Sequence, residues 1–237
     1  ITLKNVEATK NGTGLLVESA RSLEDVGGSY EANRKDGMNL RKLRSVELTQ
    51  TTASGNGGNG IQISNLSGDL TVLQGTFIGN SLTGLAVSGV RGIRISNTQS
   101  TGNGSKGYDL GNASSVNLVS VVGSQNGYIG LVVENAGSFS DLNGDYNFNG
   151  VGGVFLMNIP VADLTGTSFV GNGVFPIQMI NVGLATFLDV EWDDELEGAR
   201  VGTIVLGPGD YRIEDFENVG VDEIELLDGA TLLGNGE

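Results

Sequence analysis

The chain has 237 residues, 39 of them glycine and 3 proline, with 13 Lys and Arg against 28 Asp and Glu for a net charge of −15. Cysteine and histidine are both absent, which excludes disulfide scaffolds, Ser-His-Asp triads and His-Cys zinc sites. The acidic balance disfavours nucleic acid as a partner, and no apolar run reaches transmembrane length.

The elements repeat in chain order. An asparagine returns at a nearly constant interval, at Asn11, Asn33, Asn56, Asn80, Asn103, Asn126, Asn149 and Asn172. Glycine follows four residues later from Asn33 (Gly37) to Asn149 (Gly153). Gly14 closes the first turn, and Pro176 stands in the last place. Each turn leads into an alternating run: Leu15 to Val17, Met38 to Leu40, Ile61 to Ile63, Leu85 to Val87, Tyr108 to Leu110, Leu131 to Val133, Val154 to Leu156, Ile177 to Met179. Period two predicts a strand with one face inward. A second inward pair falls ten and eight residues before the asparagine, as at Val46/Leu48 and Ile93/Ile95. A third inward position falls three before it, at Tyr30, Phe77, Tyr146 and Phe169. Three short strands per coil of about 23 residues make an all-β, single-stranded parallel β-helix solenoid. Eight to ten coils at about 4.8 Å each give a rod of roughly 40–50 Å.

The asparagine column from Asn33 through Asn56, Asn80, Asn103, Asn126 and Asn149 to Asn172 reads as a structural ladder inside the turn. Stacked amides can donate to one another between coils. A ligand-binding row of amides is the alternative reading.

This pattern resembles the right-handed parallel β-helix proteins of the pectate-lyase-like superfamily. The resemblance rests on the repeats above and covers residues 1–192. It implies the architecture rather than an activity, because that fold hosts lyases, hydrolases, epimerases, phage tailspikes, adhesins and stalks. The Gly-His-Gly, Asn-Thr-Asp and Arg-Ile-Lys segments of its polygalacturonase-like hydrolases are missing. A leucine-rich repeat shares the period, but its Leu-x-x-Leu-x-Leu-x-x-Asn core is absent.

Past Ile177 the pattern breaks. Residues 189–197 read as an acidic insertion, so regular coils are expected over 1–192 and irregular acidic coils or a cap over 193–237. Asp189, Glu191, Asp193, Asp194 and Glu195 form a carboxylate cluster of the kind that suits Ca²⁺. The plainer reading is a charged surface turn. Trp192, the sole tryptophan, stands among these acids as a sugar-stacking candidate. The tail reads as a final cap, or as the opening of a second β-helix. The chain starts inside a repeat, which suggests a processed protein or a segment of a longer one.

Two coils share Asp-x-x-Gly-x-Tyr, at Asp25 to Tyr30 and Asp141 to Tyr146. Each aspartate falls at a nominally inward position. Because a buried unpaired carboxylate is costly, a bulge that turns Val26 and Leu142 inward instead is expected. The alternative is a functional carboxylate, and Asp141, Asp145 and Asp163 form the best such group. Seven successive coils hold the period within one residue and leave no long inserted loops, so no cleft walls are expected before residue 189. Phe155, Met157, Gln178 and Ile180 form an outward patch, with Phe155 a second candidate for carbohydrate contact. The chain therefore reads as a non-enzymatic structural, adhesive or glycan-binding module of a secreted or surface protein. Its partners would be a polysaccharide or another protein. The alternative is a lyase- or epimerase-type enzyme acting on uronic-acid polymers.

Overall fold

The computed structural model describes residues 1–192, 197–212, 216 and 219–233. All its extended elements are β, and every ladder is parallel. Three walls follow one another in each coil. The first wall holds strands such as Leu15–Glu18, Met38–Arg41 and Ile61–Ser64. The second holds Ser22–Val26, Ser45–Thr49 and Asp69–Leu73. The third is reduced in most coils to one bridging residue, running from Glu7 through Ser29, Thr52, Thr76, Gln99, Val122 and Asp145 to Ser168. From Leu85 onward the first two walls often fuse into single long strands, as in Leu85–Ser96, Tyr108–Val119, Gly152–Thr165 and Phe175–Leu188.

The core is a stack of columns. Met38, Ile61, Leu85, Tyr108, Leu131, Val154 and Ile177 lie in register along the first wall, and all are buried. Tyr30, Phe77, Tyr146 and Phe169 fill the third inward column. Tyr146 and Phe169 stack with centroids 6.4 Å apart. One coil buries little by itself. Each gains its core only from the coil above and the coil below, as expected of a solenoid.

Three corners turn the chain, and each places a residue at positive φ. Just before the asparagine these are Lys10, Ala32, Gly55, Gly79, Gly102, Gln125, Phe148 and Gly171. Between the first and second walls they are Ser19, Lys42, Asn65, Gly89, Asn112, Asn135, Asn158 and Asn181. Between the second and third walls they run from Asn5 through Asn97 and Asn143 to Asp189. Asparagine and glycine dominate because they tolerate the left-handed region.

The end of the regular stack differs from its sequence reading. Phe155 pairs with Gln178 at the full spacing of a coil, but Gln178 pairs with Glu197, which follows sooner. The coil that reads as carrying an insertion is shortened instead. Among the described residues no helix is long and apolar enough to cross a membrane.

Candidate functional site

The two aspartates of the repeated motif point inward. Asp25 is fully buried and Asp141 is 3% exposed. They pair in regular register with Leu48 and Leu118, so no bulge intervenes. Val26 is half-buried and Leu142 is 42% exposed, the reverse of the expected arrangement. The reason is that each carboxylate is fully partnered. Tyr30 Oη donates to Asp25 Oδ1 at 2.8 Å, and Thr51 Oγ1 donates to Asp25 Oδ2 at 2.6 Å. Tyr146 Oη donates to Asp141 Oδ1 at 3.0 Å, and Thr167 Oγ1 donates to Asp141 Oδ2 at 2.7 Å. The glycine of the motif makes room: a Cβ on Gly28 would meet Asp25 Oδ2 at 2.5 Å and Tyr30 Cε2 at 2.7 Å. Burial pushes the Asp141 carboxyl up to about 6, against the opposing bonds from Thr167, Tyr146 and the Gly144 amide. Burial likewise raises Tyr108 and Tyr146, with the Asp141 charge adding to both.

Asp141, Asp145 and Asp163 are therefore not brought together. Asp141 is inside the solenoid. Asp145 lies on the third wall, where Ser124 Oγ donates to its Oδ1 at 2.5 Å. Asp163 is exposed on the second wall between Ser140 and Thr186.

Trp192 pairs with Phe169 and continues the inward aromatic column. Its ring lies 5.7 Å from Phe187, 5.7 Å from Tyr211 and 6.3 Å from Phe216. It packs against the core, which corrects the expectation of a ring offered to sugar. Asp189 is a left-handed corner residue with φ 52, and Glu191 is exposed on a two-residue strand. Asp193, Asp194 and Glu195 lie outside the described residues.

The asparagine column is buried from Asn33 to Asn149. Each side chain both receives and gives. Asn103 Oδ1 accepts from the backbone N and Nδ2 of Asn80 at 3.0 Å each. Asn103 Nδ2 donates to Asn126 Oδ1 at 3.0 Å and to the Phe77 carbonyl at 3.1 Å. These bonds stay inside the turn. A second amide column, exposed, follows the corner between the first and second walls. Asn158 Nδ2 donates to Asn135 Oδ1, and Asn181 Nδ2 donates to Asn158 Oδ1, both at 2.8 Å. Sequence reading missed this column, although its regular spacing is visible.

The outward face of the first wall carries the best site. Its outward column reads Asn39, Gln62, Ala86, Asp109, Val132, Phe155 and Gln178 in register. The early half is polar: Asn39 Nδ2 donates to Asp36 at 3.0 Å, and Asn59 Nδ2 donates to Gln62 at 3.0 Å. The later half is apolar, with Ile129, Val132 and Phe175 packed as an outer cluster together with Val151 and Phe155. The ring of Phe175 lies over Gly152, where a side chain would collide with it. Between these groups opens a cleft of about 200 Å³. Its lining includes Phe155, Phe175 and Tyr128 together with Lys106, Glu134 and Gln178. Lys106 Nζ donates to Asp109 Oδ2 at 2.8 Å. Side chains build this cleft without any inserted loop, contrary to expectation. Lys106 and Glu134 went unnoticed in the sequence because they line one cleft only when their coils stack, whereas Lys106 and Asp109 pair three residues apart within one coil.

The description "right handed beta helix region" matches residues 1–122, slightly more than half of the chain. The chain belongs to this β-helix family. Among solved structures this β-helix is similar to tailspike protein 2 of bacteriophage CAB120 of Escherichia coli O157:H7. That match has a TM-score of 0.57 and 11% identity, over 99% of this chain and 38% of the tailspike. The chain thus spans well under half of the tailspike's length. It is also similar to the A-module of a mannuronan C-5 epimerase from Azotobacter vinelandii, with TM-score 0.49, 13% identity, and 99% and 87% of the two chains covered. A periplasmic alginate epimerase matches with TM-score 0.47, 10% identity, and 98% and 77% covered. At such identities the likeness is one of fold. A search of curated proteins finds no match.

Proposed function

We propose that this β-helix is a non-enzymatic module of a surface or secreted protein, and that it binds an extended glycan along the outward face of its first wall. In this reading residues 1–192 supply the regular coils and this face, apart from the irregular acidic segment 193–237. The observation that supports the reading is the cleft beside Phe155. A sugar ring has an apolar face and a polar edge, and a small site pairs apolar contact with a few placed polar groups. Phe155, Phe175 and Tyr128 offer the first, and Lys106, Glu134 and Gln178 the second. The regular stack extends the face from the cleft toward the earlier coils for a repeating ligand. A glycan array followed by calorimetry with the best oligosaccharide tests this. Phe155→Ala is expected to weaken binding about tenfold, the loss of one good stacking contact. Unchanged affinity in that variant would remove the cleft from the account.

A second reading is a lyase- or epimerase-type enzyme on uronic-acid polymers. It is favoured by the Lys106–Asp109 ion pair at 2.8 Å beside a cleft whose lining includes Lys106 and Glu134. Incubation with polyuronates, followed by scans for unsaturated product and for a changed uronate composition, separates the two readings.

A further inference from the structure

The corner between the first and second walls carries an unusual charge. Arg21, Arg41, Lys42, Arg44 and Arg91 are gathered there, with Arg94 three residues further along the second wall, together six of the thirteen cationic residues of a chain of net charge −15. Their placement follows the coil register. Ser22 pairs with Ser45, Val46 with Leu70 and Asp69 with Gly92. One column therefore reads Arg21, Arg44, Gly68, Arg91. Backbone bonds tie it together, Arg44 N to the Arg21 carbonyl at 3.0 Å and Arg91 N to the Gly68 carbonyl at 2.9 Å. At Gly68 there is no side chain to separate Arg44 from Arg91, and the Arg44 Cγ stands 3.7 Å from where its Cβ would be.

Part of this charge is already matched. Lys42 pairs with Glu18 at 3.0 Å, and Asp69 pairs with Arg91 at 2.9 Å and Arg94 at 3.6 Å. Arg21 and Arg44 have no carboxylate within ion-pair distance among the described residues. Glu24 and Glu47 stand three residues further along the strands and do not reach them. Both arginines are exposed. Like charges at facing positions of neighbouring strands repel and cost stability. Arg21 and Arg44 face each other at the spacing between coils, about 4.8 Å, with no internal partner to justify them.

We infer that this arginine corner binds a linear glycan bearing carboxylate or sulfate groups, laid along the solenoid axis. A guanidinium presents a planar fork that takes an oxyanion through two bonds at once. The free forks of Arg21 and Arg44 one coil apart, with the Asp69-bound Arg91 two coils further on, suit a polymer whose oxyanions recur along a line. Single-stranded nucleic acid would need aromatic platforms among the cations. The exposed aromatics among the described residues, Tyr128 and Phe148, belong to later coils. The arginine corner and the Phe155 cleft use different columns, so this inference stands apart from the cleft.

Binding of the whole chain to polygalacturonate, heparin, dextran and single-stranded DNA tests the inference. Binding to polygalacturonate or heparin, weakening with added salt, is expected. The polymer that binds identifies its oxyanion as carboxylate or sulfate. Arg21→Ala/Arg44→Ala should weaken that binding at least tenfold. Arg34→Ala/Lys35→Ala removes the same charge from the asparagine turn and should change it less than twofold. Three results would overturn the inference: no binding to either polyanion, equal loss in the two double variants, or equal binding of DNA with the same arginine dependence. Failure of the cleft shows separately, through Phe155→Ala and a neutral glycan.

Discussion

Asp141→Asn should abolish a specific dependence of stability on pH. The Asp141 carboxyl is raised by burial to about 6 from an ordinary value of 3.8. Below the unfolded value both states are protonated, and the stability linked to this group is fully present. As pH rises, the unfolded chain releases its proton first while the folded chain holds it, so stability falls until the folded group ionises near 6. The loss over this window is the separation of the two values times 1.36 kcal/mol per unit, or about 3 kcal/mol. For a domain of this size that corresponds to about 6–12 °C in melting temperature. Asparagine keeps the shape and an acceptor oxygen but carries no charge at any pH. Urea denaturation of both proteins at pH 4, 5, 6, 7 and 8 measures the effect. The other carboxylates are common to both chains, so the difference between the two curves isolates Asp141. The variant should gain about 2.5 kcal/mol on the wild type between pH 4 and pH 8, since part of the loss has already occurred by pH 4. A flat difference, or a gain in the opposite direction, would refute the reasoning that desolvation dominates this buried carboxylate.

Thr167→Val removes the donor to Asp141 Oδ2 and should cost about 1–3 kcal/mol above pH 6, with a smaller cost at pH 4 where the carboxyl supplies its own proton. Asn103→Ala interrupts bonds to Asn80, Asn126 and Phe77 and should cost about 3 kcal/mol by thermal or urea denaturation; a change within about 0.5 kcal/mol would mean the column contributes little. Asn158 sits at φ 56 in the exposed amide column, so Asn158→Ala should cost about 1 kcal/mol more than Asn158→Gly, the penalty of a Cβ in the left-handed region. Leu142, 42% exposed, should accept Leu142→Ser within about 0.5 kcal/mol, whereas an inward position would lose several times that.

The constant period carried the fold, because it is the one feature each coil shares with its neighbours. A slip of one residue would turn every inward side chain outward, so apolar residues at Met38, Ile61 and Leu85 had to align. The asparagine column was legible for the same reason. What stayed hidden depended on contacts between coils at other offsets. Asp25 and Asp141 look unpaired along the chain, since one hydroxyl partner of each, Thr51 or Thr167, comes from the next coil, and the motif tyrosine five residues on turns back to supply the other only in the folded coil. The rule against buried carboxylates then pointed to a bulge, and only the assembled core shows the two donors that make burial tolerable. Trp192 stands one coil after Phe169 in the same column, yet its acidic neighbours disguised an inward aromatic. The cleft joins residues from turns and strands of four successive coils, and the arginine corner aligns Arg21 with Arg44 only through strand pairing. Periodicity sets which way a side chain faces; stacking decides what it meets, because each coil borrows its neighbours' side chains to complete both its core and its surface.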